Sequence, residues 1–589
     1  MSALRKRIPK NEITDALFEF KAAFRSIGAF SGCVNLFMLV PAIYMMQVYD
    51  RVLASRNDFT LVMLSLIALG LFAIISALEF VRSMVVIRVG AKIDAFLNQR
   101  IYTAAFEQNL KSAGINAGQA LNDLNTIRQF VTGSGMFAFF DAPWFPLYLV
   151  VLFILNPVLG LFALVSTSVL IALAWINELV SSAALNEANS VAVQSTTMAT
   201  NNLRNAEVIE AMGMLPNMRE RWFSLHSKFL QLQAQASKKA ATITAITKFV
   251  KISVQSLILG LAAYLVIKNQ LTAGAMIAAT VLMGRALGPV EQIIGVWRQW
   301  RGVLSAYHRL NELLQNNPLR KQAMSLPIPQ GAVKFEQVSA APPGSKQLVL
   351  KNINFELAAG EVMGLIGPSG SGKSTLARLL VGIWPASIGT VRLDNADVYQ
   401  WNKDELGPHI GFLPQDIELF SGTIAENISR FGKIDSDKVI AAAKLAGVHD
   451  LILHMPEGYE TQIGDSGAGL SGGQKQRIGM ARALYGDPAM IVLDEPNSNL
   501  DDMGELALAK TLLELRERKK TIVIISHRPS IIRVTQKIML LQNGAVIAFG
   551  PSRQVLEAIE KARNATPPPA TAPFQINDTT LPDVGPKHE

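Results

Sequence analysis

A glycine-rich run in the second half of the chain combines the residue types that bind phosphate. It follows the apolar stretch Val362–Ile366, precedes a segment rich in helix formers, and consists of Gly367, Pro368, Ser369, Gly370, Ser371, Gly372, Lys373, Ser374 and Thr375. Glycines let backbone N–H groups turn toward phosphate oxygens, and the helix that follows presents its positive end there. Lys373 is predicted to reach the β- and γ-phosphates and Ser374 to hold Mg²⁺. This P-loop (Gly367–Thr375) predicts a site for ATP and Mg²⁺.

Two adjacent acids follow a second apolar stretch, Met490–Leu493. Asp494 is predicted to coordinate Mg²⁺ through water, and Glu495 to act as the general base that polarises the attacking water. A strand that is merely capped by solvated charges is the alternative interpretation. The P-loop upstream favours the catalytic one.

A third motif lies about twenty residues before the two acids, and it comprises Ser471, Gly472, Gly473 and Gln474. This signature segment (Ser471–Gln474) opens a run of helix formers, so its hydroxyl and N–H groups are expected at a helix N-terminus, which attracts anions. Alone, Ser-Gly-Gly is often only a flexible turn. The order of the three motifs resembles the ABC ATPase family.

The resemblance implies further site residues and a second copy of the chain. In that family, ATP lies between the P-loop of one nucleotide domain and the signature of another, so Ser471 and Gly473 would act on the partner's γ-phosphate. One such domain per chain then implies a homodimer. Gln415 matches the family's glutamine that senses Mg²⁺ and water, His527 its γ-phosphate histidine, and Asp501 its loop across the dimer interface. For His527, a purely structural role is the alternative.

Composition indicates that part of the chain lies in lipid. The 589 residues are 50% hydrophobic and 17% charged, with a mean hydropathy of +0.27, which exceeds what a wholly soluble chain shows. The net charge of +9 comes without a dense basic run, so it predicts a positive cytoplasmic face against anionic lipid and no nucleic-acid partner. Cys33, the one cysteine, is expected to be a buried small hydrophobe.

Apolar stretches long enough to cross a bilayer occur at about 27–49, 60–81, 136–155, 158–177, 249–267 and 274–297. The helix-rich segments between them are expected to extend the helices below the bilayer. The predicted fold is therefore an α-helical membrane domain of six transmembrane helices with long cytoplasmic extensions, followed by an α/β P-loop ABC ATPase domain.

Basic residues concentrate before the first stretch and in the long segments, which predicts that both termini are cytoplasmic. The predicted divisions are a cytoplasmic N-terminal segment at 1–26, a transmembrane domain at 27–310, a linker at 311–330, a nucleotide-binding domain at 331–563 and a disordered tail at 564–589.

Finer features resemble the type I secretion transporters that export proteases and haem-acquisition proteins: the segments Phe140–Tyr148, Ala340–Gly344 and Asn497–Asp501. That resemblance implies a bacterial inner-membrane homodimer that docks a periplasmic adaptor and an outer-membrane channel. Its cargo would be an unfolded polypeptide with an uncleaved C-terminal signal. Thr461–Gly467 similarly resembles a short exporter segment that contacts the membrane domain, with Asp465 where a glutamate is usual.

Other functions remain as alternatives. An exporter of lipid or small peptides has the same architecture, and only the finer resemblance disfavours it. A soluble ABC ATPase is excluded by the six apolar stretches, and a receptor that uses ATP binding only as a switch is disfavoured by Glu495.

Two residues depart from a plain transporter pattern. Arg285 falls inside the sixth apolar stretch, where it is expected to face a partner or a wet pathway, to pair with Glu291, or to snorkel to the cytoplasmic side. Pro342 stands where many ABC exporters place the tyrosine that stacks on the purine.

Overall fold

The computed structural model describes residues 12–111, 117–319, 325–345, 347–464, 467 and 469–565. These residues fall into two compact units, one built mainly from the chain up to Pro318 and the other from Leu319 onward. Of the predicted tail at 564–589, the residues from 566 onward lie outside the described residues, as do the first eleven residues of the chain.

The first unit is helical. In chain order its α-helices are α1 (Glu12–Glu19), α2 (Lys21–Phe37), α3 (Val40–Gln47), α4 (Leu53–Ser55), α5 (Asp58–Lys111), α6 (Ala117–Thr132), α7 (Ser134–Asp141), α8 (Phe145–Leu155), α9 (Pro157–Arg204), α10 (Ala206–Ala211), α11 (Leu215–Ile267) and α12 (Ala273–Asn316). A π-helical turn, Val48–Val52, joins α3 to α4, and a 3₁₀ turn, Ala142–Trp144, joins α7 to α8.

Within the residues that the structure describes, six segments are long and apolar enough to cross a membrane, which confirms the predicted number. They are Lys21–Ser55, Asp58–Lys111, Ser134–Leu155, Pro157–Val180, Leu215–Ile267 and Ala273–Trp297. Helices suit this environment because each backbone N–H and C=O is satisfied within the helix, where lipid offers no partner. The helices α5, α9 and α11 run far beyond spanning length, as the predicted extensions require.

The third and fourth spans meet in a tight hairpin at Asn156. Its extended backbone ends α8, its side-chain oxygen accepts a hydrogen bond from the N–H of Val158 at 2.9 Å, and Pro157 begins α9. Gly160 then packs against Phe153, because a Cβ at Gly160 would lie 2.3 Å from that ring. The chain therefore reverses at Asn156 and Pro157.

The expectation that Cys33 is buried is wrong. Cys33 is exposed on α2, whereas Ser31, Gly32 and Val34 are buried beside it. An apolar stretch in a membrane protein has a face toward lipid as well as a face toward other helices, and composition does not separate the two. Because lipid is as apolar as the protein interior, an apolar side chain can lie on either face. Polar side chains on the packed face are tolerated where they bond to one another.

That packed face holds a buried polar network. Arg82 of α5 donates to Asp141 of α7 at 2.8 Å and to the Ser31 hydroxyl at 2.9 Å. Asn35 of α2 donates to the same Asp141 oxygen at 3.1 Å and accepts at its own side-chain oxygen from the Tyr148 hydroxyl at 3.0 Å. The side chains of Arg82 and Asp141 are only 8% and 16% exposed. The network joins four helices, α2, α5, α7 and α8.

The N-terminal helix is attached to the far end of the same unit. Arg100 of α5 donates to the Glu12 carboxylate at 2.7 Å and to the backbone carbonyl of Asn317 at 2.6 Å, while Ile13 is almost completely buried. The last helix, α12, ends at Asn316, inside the segment 311–330 that the sequence predicts to be a linker. The start of the described chain is therefore fixed next to the end of the helical unit.

The second unit is α/β. Its strands are β1 (Val333–Ala340), β2 (Leu350–Leu357), β3 (Val362–Ile366), β4 (Ile388–Leu393), β5 (Ala396–Asp397), β6 (Ile410–Leu413), β7 (Gly422–Thr423), β8 (Gln462–Ile463), β9 (Met490–Asp494), β10 (Thr521–Ile525), β11 (Lys537–Gln542) and β12 (Ala545–Pro551). Its α-helices are α13 (Lys373–Leu380), α14 (Lys403–Leu406), α15 (Ile424–Ile428), α16 (Ser436–Leu445), α17 (His449–Leu453), α18 (Gly472–Leu484), α19 (Asp502–Glu517), α20 (Pro529–Ile532) and α21 (Ser552–Ala565).

The central sheet sets the geometry of the second unit. Its order is β12-β11-β3-β10-β9-β6, and the strands from β11 to β6 run parallel. The strands β9 and β10 are buried at every position, which is typical of parallel strands covered on both faces. A second sheet of order β2-β1-β4-β5 packs its apolar side chains into a core shared with β3 and α13. The carboxyl ends of β3, β9 and β10 consequently meet at one edge.

The buried ion pair leads to a test of bundle stability. Asp141→Leu leaves the Arg82 guanidinium buried without its acid, so we expect a loss of about 3–5 kcal/mol in the free energy of unfolding. The double variant Arg82→Leu with Asp141→Leu removes both charges and is expected to recover most of that loss. Unfolding in mixed detergent micelles, followed by circular dichroism, measures both. A double variant that is less stable than the single one would contradict the role given to the pair.

Candidate nucleotide-binding site

The P-loop joins the end of β3 to the start of α13, as its sequence context predicts. Gly367 has φ of 152°, and a Cβ there would lie 2.0 Å from the carbonyl oxygen of Leu541. Gly372 has φ of 102°, and its Cβ would lie 2.7 Å from the Leu350 side chain. Both positions therefore require glycine, one for close approach to β11 and one for packing on β2.

The Lys373 side chain is hydrogen-bonded to the backbone of the P-loop. Its Nζ donates to the backbone carbonyls of Gly367 at 2.7 Å and Pro368 at 3.0 Å. Burial lowers the pKa of Lys373, and the nearby charges of Glu495 and Asp494 oppose that shift. A phosphate oxygen beside this ammonium would relieve its desolvation, which favours binding of an anion here.

The P-loop also contains buried hydroxyl groups near Lys373. Ser371 and Thr375 are buried, and the Ser371 hydroxyl has no hydrogen-bond partner among the described residues. Gly370 has φ of 79° with open space beside it. An unpaired buried hydroxyl calls for a ligand or water that satisfies it.

Asp494 has the properties of a Mg²⁺ ligand. It is 4% exposed, and its Oδ1 has no hydrogen-bond partner among the described residues. Burial raises the pKa of Asp494, a hydrogen bond with Ser374 lowers it, and the neighbouring Glu495 raises it. Mg²⁺ is usually bound by one or two carboxylates together with phosphate oxygens, and a hydroxyl and a buried carboxylate next to a phosphate loop fit that set.

Glu495 occupies a strained backbone position at the sheet edge. Its φ is 51°, in the left-handed region, and its N–H donates to the carbonyl of Ile525 on β10 at 3.0 Å. Gln415 lies after β6, and its Nε2 donates to the Glu495 carboxylate at 3.2 Å. Such strain in a non-glycine residue is found mainly at functional sites. The structure therefore brings together Lys373, Asp494, Glu495 and Gln415.

His527 follows β10 and is exposed. Because Ile525 is in register with Asp494 on the neighbouring strand, His527 and Glu495 leave the sheet at the same edge. No hydrogen bond joins His527 to Glu495 in the described part of the chain.

The signature segment is built around the start of α18. Ser471 caps this helix with a capping box, in which its Oγ accepts from the Gln474 N–H at 3.3 Å and its N–H donates to the Gln474 side chain at 2.9 Å. Ser471 and Gly472 are exposed, and a Cβ at Gly473 would lie 2.9 Å from the carbonyl of Asn499. The motif that looks flexible in sequence is therefore a defined helix N-terminus that faces outward.

Asp501 caps the next helix, α19. Its carboxylate accepts from the Gly504 N–H at 2.9 Å and from Arg477 of α18 at 3.2 Å. In the described part of the chain, Asp501 and the signature segment make these hydrogen bonds with residues in or at the start of α18 and α19. None of these bonds reaches the P-loop. Asp465, predicted in an exporter segment, lies outside the described residues.

One residue that sequence reasoning missed connects these parts. Gln476 of α18 is 2% exposed, and its amide nitrogen donates to the backbone carbonyl of Glu495 at 3.2 Å. Its amide oxygen accepts from the Asn499 N–H at 2.9 Å. The one indication of this role in the sequence was that Gln476, two residues after the signature, is polar but falls on the inward side of the helix. Gln476 ties the signature helix to the turn that carries Glu495.

Two family models match this chain. The ABC transporter transmembrane region matches residues 27–290, and the ABC transporter model matches residues 350–498. The chain therefore belongs to the ABC transporter family, as a multi-pass membrane protein whose ATPase domain binds and hydrolyses ATP. This confirms the resemblance drawn from the motifs and the predicted fold class.

Within that family it stands with the type I secretion ATP-binding proteins. It is 42% identical over 543 residues to the type I secretion system ATP-binding protein PrsD of Rhizobium meliloti (strain 1021), over 92% of this chain and 93% of that protein. It is 29% identical over 562 residues to the leukotoxin export ATP-binding protein LtxB of Aggregatibacter actinomycetemcomitans, over 92% of this chain and 77% of that protein.

A solved structure supports the fold independently. A bacterial Atm1-family ABC exporter with ATP bound superposes with a TM-score of 0.80, over 93% of this chain and 99% of that chain. At 22% identity, this likeness concerns the fold alone.

The position of Gln476 gives a test in the ATPase unit. Gln476→Leu keeps the side-chain size but removes the hydrogen-bond partner of two part-buried groups, the carbonyl of Glu495 and the N–H of Asn499. We expect kcat for ATP hydrolysis to fall about tenfold, equal to about 1.4 kcal/mol, while ATP still binds. The matched control is Gln542→Leu at an exposed position of β11, which should leave kcat unchanged. Equal kcat in both variants would remove Gln476 from this role.

The turn after β1 gives a test of base recognition. Pro342 is half-buried, its carbonyl accepts from the Ser345 N–H at 3.0 Å, and none of the ring pairs among described residues involves this turn. We expect little preference for ATP over GTP and tighter binding of both by Pro342→Tyr, because aromatic stacking contributes about 0.5–1.5 kcal/mol beyond burial. Competition binding to purified protein measures this. An ATP preference above about tenfold would mean that another group reads the adenine.

Proposed function

We propose that this chain is the ATP-hydrolysing inner-membrane subunit of a type I secretion system and exports unfolded polypeptides. The observation that carries the proposal is a hydrolytic site and six spans on one chain that is 42% identical to PrsD over nearly its whole length. The cargo class follows the resemblance to exporters of proteases and haem-acquisition proteins. An exporter of lipid or small peptides stays the alternative.

The P-loop binds the phosphates of ATP in this mechanism. Its backbone N–H groups and the N-terminus of α13 face the phosphate oxygens, and Lys373 exchanges its two loop carbonyls for the β- and γ-phosphates. The groups that would hold Mg²⁺ are Ser374, Asp494 and Gln415. When bound, the ion neutralises phosphate charge.

Glu495 is the proposed general base. Its carboxylate stands next to Gln415, so the glutamine can orient a water between itself and the carboxylate. Glu495 accepts the proton of that water as the water oxygen attacks the γ-phosphorus, and the bond from that phosphorus to the bridging oxygen breaks, so that ADP and inorganic phosphate are released. His527, which leaves the sheet at the same edge, is proposed to contact the γ-phosphate.

The exposed signature supports a homodimer. Ser471, Gly472 and Gly473 form a helix N-terminus with an open side, and such a terminus attracts anions. We propose that the phosphates bound at the P-loop of the same chain do not contact it. A second copy would supply that anion as the γ-phosphate of its bound ATP. Asp501, beside the signature, would then lie near the interface between the two chains.

The membrane arrangement is proposed from charge and from the relatives. Basic residues before the first span and in the long helical segments support a cytoplasmic position for both termini. The outward loops are short, and they would face a periplasmic adaptor that leads to an outer-membrane channel. The exposed apolar residues of the spans contact the lipid bilayer.

The function is tested by comparing culture media. We expect a set of polypeptides to disappear from the medium when the chain is deleted, and to stay absent when only Glu495→Gln is restored. Mass spectrometry of the medium measures this. In purified protein, Glu495→Gln should bind ATP while turnover falls at least about hundredfold, because the amide cannot take the proton.

The outcomes separate the parts of the proposal. A medium that is unchanged by deletion, with altered lipid composition instead, would replace polypeptide export by lipid export. Near-normal turnover in Glu495→Gln would remove Glu495 from its role and leave the transport function standing. Lys373→Ala is the control, since it should lose ATP binding as well as turnover.

A further inference from the structure

Arg285 is a charge at the centre of the last membrane span. It is the middle residue of the 25-residue span Ala273–Trp297, on α12. Twelve residues at 1.5 Å each set it about 18 Å from the Ala273 end. An arginine side chain is too short to bring its charge from there to either end of the span, so snorkelling does not account for this residue.

Its acidic neighbour on the helix is already paired. Glu291 accepts from Lys251 of α11 at 2.8 Å, so the Arg285–Glu291 ion pair considered from the sequence does not form. Across the described residues, no hydrogen bond or ion pair reaches Arg285. Its side chain is exposed, although Ala286 and Leu287 next to it are fully buried. An unpaired guanidinium facing lipid at mid-span is strongly disfavoured, so this side of α12 faces either a second copy of the chain or a water-filled pathway. The proposal below takes the second of these, and the accessibility measurement separates them.

The backbone at Arg285 is also open to a ligand. Pro289 lies four residues later inside α12 and has no N–H to donate to the carbonyl of Arg285. Gly288, one turn further along the same face, has nothing within 4 Å of the place where a Cβ would stand. Arg285 thus combines five N–H donors with a backbone acceptor that has lost its helical partner, beside free space.

These are the groups that an extended polypeptide can use. Its carbonyl oxygens and carboxylates accept from a guanidinium, and its N–H groups need an acceptor. We propose that Arg285 is a binding point for acidic, unfolded polypeptide inside the translocation pathway. The proposal rests on the proposed export function and assigns the part of the pathway that holds the cargo.

Binding by the full-length chain in lipid nanodiscs tests the proposal. The probe is fluorescent poly-L-glutamate, which is unfolded at neutral pH, with poly-L-lysine as the cationic comparison. We expect Arg285→Ala to bind poly-L-glutamate about tenfold more weakly, and Arg285→Lys to retain part of the affinity. Leu257→Ala, at an exposed apolar position of the neighbouring span α11, is the matched control and should bind as the wild type does.

Accessibility to water supplies a second measurement that does not depend on affinity. In a Cys33→Ser background, R285C should react with a charged, membrane-impermeant thiol reagent, and L257C should not. Equal poly-L-glutamate binding by wild type and Arg285→Ala, no binding by the wild type, or an unreactive R285C would each overturn the proposal. Failure of the export function is distinct, since it would show as a culture medium that is unchanged by deletion of the chain.

Discussion

Hydrocarbon offers no hydrogen bonds, and the first half of the chain is organised by that constraint. Backbone groups are satisfied within long helices, and buried polar side chains among the packed helices bond to one another. Asp141 shows this most clearly, since its carboxylate accepts from both Arg82 and Asn35. These bonds join three helices from distant parts of the sequence, α2, α5 and α7.

The ATPase unit solves a different problem, which is to aim reactive groups at a ligand that is not part of the chain. A parallel sheet does this by ending three strands at one edge, where β3 leads into the P-loop and β9 and β10 lead to Glu495 and His527. The left-handed backbone of Glu495 and the close approach of Gly367 to Leu541 carry local strain and crowding there. The buried sheet on either side makes that strain tolerable.

Single residues link parts of each unit that have separate roles. Gln476 bonds to the turn that carries Glu495 while it sits on the helix that opens with the signature segment. The signature segment and the turn that carries Glu495 are therefore linked through one helix, α18. In the helical unit, Arg100 bonds to both Glu12 and the carbonyl of Asn317, so it links the N-terminal helix to the residue that follows α12.

The sequence by itself determined the local features: the P-loop between strand and helix, the two acids after β9, the six spans and the family. These depend on neighbours in the chain, whose spacing is visible in the sequence. It did not determine that Cys33 is exposed, that Glu291 pairs with Lys251, that α12 runs to Asn316, or that Gln476 reaches Glu495. Only the tertiary structure decided these, because they depend on which face of each helix meets another element, and lipid and protein interior select the same apolar residues.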